Sequence, residues 1–296
     1  MSTLIEKVQE LRERTGAGMM DCRTALVENG EDMEKAIDWL RQKGIAKAAS
    51  KGNRIAAEGV SVVKVNGNKA VIVEVNSETD FTAKNERFLH AVDLVAEGLL
   101  NSNAKTVEEG EAVTTAEGPV SEVLSSISFA TGEKMTLRRF EIVEKTDSQF
   151  FGPYIHMGGK IAALAVLDGG NDEVAKDIAM QVASMNPSYI DRDHMPQEEV
   201  EHEREIQLEI AKNDPKNAGK PEDIIAKMIE GRVSKALQDV CLVDQVYFRD
   251  GQNKVGSYLK SNNATVVSFI RYATGEGIEK KVDNWAEEVA AAVADL

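Results

Sequence analysis

The spacing of apolar residues changes near Ala57, and this change constrains the fold more than any other feature of the sequence. Before it, apolar residues recur at helical spacing, first in the stripe of Leu4, Val8 and Leu11. After it, residues 60–65 and 70–75 are rich in β-branched side chains, and Asn66-Gly67-Asn68 between them is a hairpin signal. The sequence therefore predicts an α+β protein that begins with helices and whose first strands follow Ala57.

Three short helices are predicted in residues 1–54. The first begins behind a capping box of Thr3 and Glu6 and stops before Gly16. The second runs from Met19 to Asn29 and ends on Gly30 as a left-handed cap would, and the third ends before Gly44. These helices predict a compact three-helix module at the start of the chain.

A strand and helix pattern recurs after this module. Further strands are predicted at residues 135–143, 160–167, 245–248 and 266–272. One helix ends near Gly98 and another runs through Val174, Ile178 and Val182, so we interpret the pattern as a degenerate duplication. Residues 107–119 lack periodicity and are predicted to form a loop or a short surface element.

Two charged amphipathic segments, residues 198–212 and 224–237, are separated by a breaker that contains two prolines and a glycine. This pattern predicts an antiparallel helical hairpin that projects into solvent, because its charged faces tolerate water on most sides. A turn at residues 274–277 precedes a last predicted helix, whose apolar face comprises Trp285, Val289, Ala292 and Val293.

Composition narrows the classes of function. The chain has 35 Lys and Arg against 50 Asp and Glu, a net charge of −15, which opposes sequence-independent binding to nucleic acid. The longest apolar run, residues 161–167, is far shorter than the roughly 20 residues of a membrane helix, and the first residues have no signal-peptide pattern. A cytoplasmic protein is therefore expected. Cys22 and Cys241 predict neither a disulfide framework nor a thiolate metal site.

The sequence carries no motif for a cofactor, a metal or a catalytic centre. Gly159-Lys160 is the Walker A candidate, but Tyr154 stands where its first glycine is required and Ile161 where Ser or Thr is required. His202-Glu203 is followed by Ile206 instead of the second zincin histidine. No enzyme activity, cofactor or metal is therefore predicted, although residues distant in sequence could still assemble a nucleophilic site.

The segment Thr79-Asp80-Phe81-Thr82 lies just beyond a predicted strand, in a polar setting. Two interpretations are open. Phe81 packs back onto the sheet as core, which is typical of a lone aromatic, or Asp80 and Phe81 form an exposed acidic and apolar wedge that enters a partner.

Three other segments allow both a partner contact and a structural role. Met19 and Met20, beside Gly16 and Gly18, fit an adaptable surface or a helix junction. His156 precedes two glycines and is either a partner contact or a satisfied structural histidine. Residues 275–280 form either a tight turn or a contact loop.

Five blocks of the chain, in order and spacing, closely resemble the bacterial elongation factor Ts family. These blocks are LRERTGAGMMDCRTAL (11–26), EVNSETDF (74–81), YIHMGGKI (154–161), IAMQVASMNP (178–187) and GEGIEK (275–280). The resemblance implies a guanine-nucleotide exchange factor that binds elongation factor Tu, both GDP-bound and nucleotide-free, without a catalytic site of its own.

The resemblance also implies an architecture. It consists of a three-helix module like the ubiquitin-associated (UBA) domain, a core of two similar α/β subdomains, a protruding antiparallel coiled coil and a small C-terminal module. On this chain the predicted boundaries are 1–54 for the first module, 55–145 for core subdomain N, 146–196 with 240–273 for core subdomain C, 197–239 for the helical hairpin, and 274–296 for the last module.

Site residues are implied by position. Thr79, Asp80, Phe81 and Thr82 correspond to the family segment associated with dislodging magnesium from elongation factor Tu, with Phe81 as the wedge. Other partner contacts correspond to Arg12, Met19, Met20 and His156.

Two residues depart from the family pattern, since Thr82 replaces the usual valine and Arg23 a common lysine. The role of the hairpin stays open between self-association, a partner contact and a spacer, and the complex stays open to a heterotetramer. The rival interpretation is an acidic adaptor that binds a partner without acting on nucleotide.

Overall fold

The computed structural model describes residues 3–49, 51–214, 217 and 220–279, and these form two compact units. The first unit comprises the described residues of Met1–Val62, Val73–Glu141 and Ala273–Leu296. The second comprises those of Val63–Ile72 and Ile142–Tyr272. Helices and strands are mixed along the chain, as the sequence predicts.

The N-terminal module contains α1 (Leu4–Thr15), α2 (Met19–Glu28) and α3 (Met33–Ala49). The capping box is present, because Thr3 N donates to Glu6 Oε2 at 2.7 Å and Glu6 N donates to Thr3 Oγ1 at 3.3 Å. Helix α1 ends at Gly16 with a left-handed φ of 72°. The buried apolar residues of the module are Val8, Leu11, Ala17, Cys22, Ala25, Leu26, Ala36 and Leu40.

The predicted end of the third helix before Gly44 is wrong, because α3 continues to Ala49. A Cβ at Gly44 would lie 3.4 Å from the Cβ of Phe129. Gly44 is therefore not a helix stop but lies within α3, where this helix contacts a neighbouring helix that carries Phe129.

The first sheet contains β1 (Glu58–Asn66), β2 (Lys69–Ser77) and β5 (Thr136–Glu144), in the order β1-β2-β5. The predicted hairpin is confirmed, and Gly67 in its turn has a φ of 57°. A one-turn helix, α4 (Asp80–Ala83), and the long α5 (Glu86–Leu100) follow β2.

The segment between α5 and β5 is more ordered than the sequence predicts. Residues 107–119 form α6 (Val107–Ala112) and a small antiparallel pair, β3 (Thr114–Thr115) and β4 (Gly118–Pro119). Helix α7 (Val120–Thr131) follows and was not predicted, although Val120, Val123 and Leu124 form its buried face. It is also the helix that contacts α3 through Phe129.

The second sheet contains β6 (Gln149–His156), β7 (Ile161–Gly169) and β8 (Ala264–Ala273), in the order β6-β7-β8. Strands β6 and β7 are antiparallel, and their register runs from Gln149 opposite Asp168 to His156 opposite Ile161. In both sheets a strand pair is followed by a helix, and a later strand pairs with the second strand.

Helix α8 (Asp172–Met185) lies on this second sheet, with an apolar core between them. Gly152 of β6 permits the close approach, because a Cβ there would lie 1.9 Å from the carbonyl oxygen of Ala175. The core includes Ala163, Ala165, Leu167, Val174, Ile178, Ala179 and Val182. The prediction of a strand followed by a helix in this region is confirmed, whereas β6 was not predicted.

The predicted strand at 245–248 is wrong. The chain there is irregular, with one isolated bridge between Val246 and Lys254 and a turn that begins at Phe248, and α11 (Val255–Ser261) follows. The buried Gln245 side chain explains the difference, because its Nε2 donates to Asp239 O at 2.6 Å and its Oε1 accepts from Gln181 Nε2 at 3.0 Å. Side-chain hydrogen bonds thus replace a strand ladder.

Two further helices, α9 (Gln197–Asn213) and α10 (Glu222–Ala236), agree with the two predicted amphipathic segments. They pack on each other through Ala211, Ile229 and Val233, and Arg204 Nε lies 2.9 Å from Glu230 Oε1. In the described part of the chain, no helix combines the length and the hydropathy that crossing a membrane requires. The predicted helix with Trp285 lies outside the described residues.

Candidate functional site

Phe81 lies on α4 of the first unit, and 83% of it is exposed. The next two residues, Thr82 and Ala83, are only 8% and 4% exposed, so the turn is anchored on one side and presents the ring on the other. The N-cap of α4 is Thr79, whose Oγ1 accepts a hydrogen bond from Thr82 N at 3.3 Å. The interpretation of Phe81 as a core residue is therefore wrong.

The carboxylate of Glu133 holds this segment through four hydrogen bonds. Its Oε2 accepts from the backbone N–H of Glu78 at 3.1 Å and of Thr79 at 3.0 Å. Its Oε1 accepts from the hydroxyls of Thr79 at 2.7 Å and Thr82 at 2.8 Å. An ionised carboxylate has about four acceptor positions, so these bonds use its full capacity.

A second carboxylate makes the reciprocal contact. Glu78 Oε1 accepts from the backbone N–H of Lys134 at 2.6 Å and from Arg54 Nη1 at 3.2 Å. Arg54 also donates to the carbonyl oxygen of Gly132 at 3.1 Å. Two carboxylates therefore connect the loop after β2 and the loop after α7. Glu133 accepts from backbone N–H groups of the first loop, and Glu78 accepts from a backbone N–H group of the second.

The remaining members of the Thr79–Thr82 segment differ in exposure. Asp80 is partly exposed, and its Oδ2 lies 2.7 Å from Lys84 Nζ, one helical turn further on. Thr82 is buried and donates its hydroxyl to Glu133. A valine there, as in the family pattern, would fill similar space and lose that hydrogen bond.

The predicted contacts of the N-terminal module lie in the same unit as Phe81. Met19 and Met20 are 53% and 67% exposed. An open cavity of about 550 Å³ is lined by residues that include Arg12, Met19 and Asn85. Asn85 is the N-cap of α5 and lies four positions after Phe81, so Arg12 and Met19 share this cavity with a residue close to Phe81 in sequence.

His156 lies in the second unit, at the end of β6. Its Nδ1 is 2.9 Å from the hydroxyl oxygen of Tyr154, and the two ring centroids are 5.8 Å apart. The next residue, Met157, is 72% exposed and has a φ of 49°, which is unusual for a residue with a Cβ. The hairpin tip thus presents an ordered imidazole beside an exposed thioether.

Across the described residues, no cluster of three or more His, Cys, Asp or Glu side chains could hold a metal ion. Burial raises the pKa of the Cys22 and Cys241 thiols, which disfavours the reactive thiolate.

Residues 274–277 form a turn, as predicted, and Gly275 N donates to Glu74 Oε1 at 2.7 Å. That turn is therefore fixed from within the first unit.

The sequence did not point to Glu133 as part of the site. A weak signal was present, because Gly132 predicts the end of a helix and a charged residue follows it. The contact with Thr79 spans more than fifty positions of the chain, and nothing local to either residue indicates it.

The fold mixes helices and strands, and it presents the exposed ring of Phe81 on a short turn that hydrogen bonds hold in place. The family model described as Elongation factor TS matches residues 78–276, which is more than half of the chain. The chain belongs to the elongation factor Ts family. It is therefore a nucleotide exchange factor that interacts with elongation factor Tu during translation elongation. The match includes Phe81 and His156, whereas Arg12, Met19 and Met20 precede it.

Proposed function

We propose that this chain releases GDP from elongation factor Tu by inserting Phe81, with Asp80 beside it, where the partner binds magnesium and phosphate. One observation carries the proposal: Phe81 is 83% exposed while Glu133 fixes the backbone that bears it. A large apolar ring in this state loses little conformational entropy on entering a pocket, because its backbone is already ordered.

The physical basis is the role of magnesium in the partner. In a GTPase the ion bridges phosphate oxygens and neutralises their charge, so that displacing it weakens nucleotide binding. Linkage requires that nucleotide weaken the binding of the factor by the same ratio. GTP therefore displaces the factor again, and the excess of GTP sets the direction of the cycle. The factor itself needs no catalytic residue, cofactor or metal for this.

Other surfaces add affinity in this proposal. Arg12, Met19 and Met20 contact the nucleotide-binding domain of the partner, and His156 makes a separate contact from the second unit. The factor binds both GDP-bound and nucleotide-free elongation factor Tu in the cytoplasm, without binding nucleic acid or a membrane. The exposure of Met19 and Met20 supports this role.

The finer architecture belongs to the same proposal. Residues 1–54 act as a UBA-like module, 55–145 as core subdomain N, 146–196 with 240–273 as core subdomain C, and 274–296 as a C-terminal module. Residues 197–239 form a coiled coil, and the packing of α9 on α10 supports this. The hairpin gives the complex a route to self-association or to a heterotetramer.

Stopped-flow release of labelled GDP from elongation factor Tu tests the wedge. Phe81→Ala should lower the release rate at saturating factor by about 30-fold, equivalent to about 2 kcal/mol for a buried anchor. Val267→Ala is the control, because it also removes an exposed apolar side chain. An unchanged release rate for Phe81→Ala would exclude the wedge.

A magnesium series distinguishes exchange from the rival function of an adaptor. An exchange factor that acts on the magnesium site should accelerate release strongly at millimolar free magnesium and weakly when a chelator has removed the ion. An adaptor would bind in a calorimetric titration without accelerating release at either concentration.

A further inference from the structure

We infer that Glu133 is a positioning residue for exchange, which fixes the direction of Phe81 before the partner is met. This inference rests on the proposed function of Phe81. Glu133 is distant from Phe81 in sequence and does not belong to the exposed segment, yet it bonds the segment on both sides of the ring, at Thr79 and Thr82.

Helix α4 has only four residues, and a single helical turn is not stable by itself in water. The ring of Phe81 is exposed, so burial does not fix its position either. What holds the turn is the N-cap at Thr79, the burial of Thr82 and Ala83, and the carboxylate of Glu133. Glu133 contributes four hydrogen bonds to this set, and each involves a charged acceptor.

Glu133 is itself held in place. It follows Gly132, the left-handed C-cap of α7 with a φ of 79°. Its carbonyl oxygen accepts from Ser128 Oγ at 2.6 Å, and Lys51 Nζ donates to Ser128 O at 2.6 Å. The carboxylate therefore extends from a helix end whose backbone is held by hydrogen bonds. Because its own position is fixed, it can restrict the positions of Thr79 and Thr82.

The functional consequence concerns the fraction of molecules that are ready to bind. If the segment were loose, only part of the population would present Phe81 correctly, and productive engagement would fall in proportion to that part. Glu133→Gln keeps the size of the side chain but replaces one acceptor oxygen with an NH₂ group. That NH₂ group would face hydrogen-bond donors. The change should therefore remove the two hydrogen bonds that the replaced oxygen accepts.

The experiment measures labelled-GDP release from elongation factor Tu by the full chain. Glu133→Gln should lower the maximal release rate about tenfold, as expected when charge-assisted hydrogen bonds are lost. Glu144→Gln is the matched control, because Glu144 is exposed and its replacement removes the same charge. Hydrogen exchange at the amides of Glu78 and Thr79 should accelerate in Glu133→Gln alone. An unchanged release rate in a folded Glu133→Gln protein would overturn the inference.

A double-mutant cycle separates a positioning role from a general structural one. If Glu133 acts through Phe81, then Glu133→Gln should have no further effect on release in the Phe81→Ala background. Additive effects would overturn the inference. A Phe81→Ala protein with normal release would instead refute the proposed function, so the two failures are distinguishable.

A conservative pair at Thr79 provides the test if Glu133→Gln fails to fold. Thr79→Ser keeps the hydroxyl that donates to Glu133, so its release rate should be higher than that of Thr79→Val. Thr79→Val removes that hydroxyl and also the N-cap acceptor, so it should lower the rate. Equal rates for the two variants would count against positioning by Glu133.

Discussion

Glu74 and Arg139 form an ion pair in the first unit, with 2.6 Å between Glu74 Oε2 and Arg139 Nε. Glu74 is fully buried in β2, and its other oxygen lies 2.9 Å from Arg138 Nη1. The same oxygen accepts the backbone N–H of Gly275, so one carboxylate connects β2, β5 and the turn after β8. Buried carboxylates persist when charge and hydrogen bonds compensate their desolvation, as they do here.

Glu74→Gln should therefore lower the free energy of unfolding by about 3 kcal/mol, because two cationic side chains lose their shared partner inside the fold. Urea denaturation followed by circular dichroism measures this loss. Glu144→Gln is the control, and it should change stability by less than about 0.5 kcal/mol, as is usual for surface substitutions. If the two variants were equally stable, the attraction between Glu74 and its arginine partners would only compensate the free-energy cost of removing these charges from water.

Asp244 of the second unit should contribute stability that depends on pH. Its burial alone would raise the pKa, but the hydrogen bond from Lys254 at 2.8 Å and the charge of Arg192 at 3.0 Å outweigh burial and hold the pKa below its ordinary value. A lowered carboxylate pKa stabilises the fold above the unfolded-state value of about 3.9, and this gain is lost as pH falls through the folded-state pKa.

Thermal unfolding of Asp244→Asn across pH checks this sign. The variant should be less stable than the parent at pH 7, by about 1 kcal/mol for a pair with exposed partners. The difference should shrink below about pH 3.9 and disappear at more acid pH. Asp239→Asn, at an exposed position, should show no such dependence. A constant difference between pH 7 and pH 2 would contradict the assignment.

Local signals predicted the elements whose causes are local. The capping box of Thr3 and Glu6 and the turn at Gly67 depend on residues that are neighbours in sequence, and both are present as predicted. The strand expected at Gln245 failed because that side chain bonds Gln181 and the carbonyl oxygen of Met185, sixty or more positions away, which no short window reveals. Helix α7 was missed although its apolar face was readable in the sequence.

The candidate site, too, has features that the local sequence indicates and contacts that it does not. Residue chemistry left the position of Phe81 open between core and surface, and family resemblance favoured the surface. The structure shows why the ring stays outside, since Glu133 fixes the backbone of a turn whose buried side chains are Thr82 and Ala83. Contacts of this kind join segments far apart in the chain, and local sequence patterns do not reveal them.

Thr82→Val should have a small effect, although the residue lies in the segment proposed to bind the partner. Its side chain is buried, and its loss removes one of the four hydrogen bonds of Glu133. We expect a loss of about 1 kcal/mol in the free energy of unfolding and less than a threefold change in GDP release. Denaturation and stopped-flow release measure the two effects. A release defect as large as that of Phe81→Ala would show that the hydroxyl itself reaches the partner.

His156→Ala should weaken the complex with elongation factor Tu less than Phe81→Ala does. The imidazole is only partly exposed and is bonded to Tyr154, so it offers less apolar area to a partner than the exposed ring of Phe81. Calorimetric titration of nucleotide-free elongation factor Tu ranks the two variants. Tyr154→Phe is the matched comparison, because it keeps the ring but removes the hydroxyl that lies 2.9 Å from Nδ1, and it should weaken binding less than His156→Ala. If His156→Ala has the larger effect, the second unit supplies the dominant contact and the ranking is wrong.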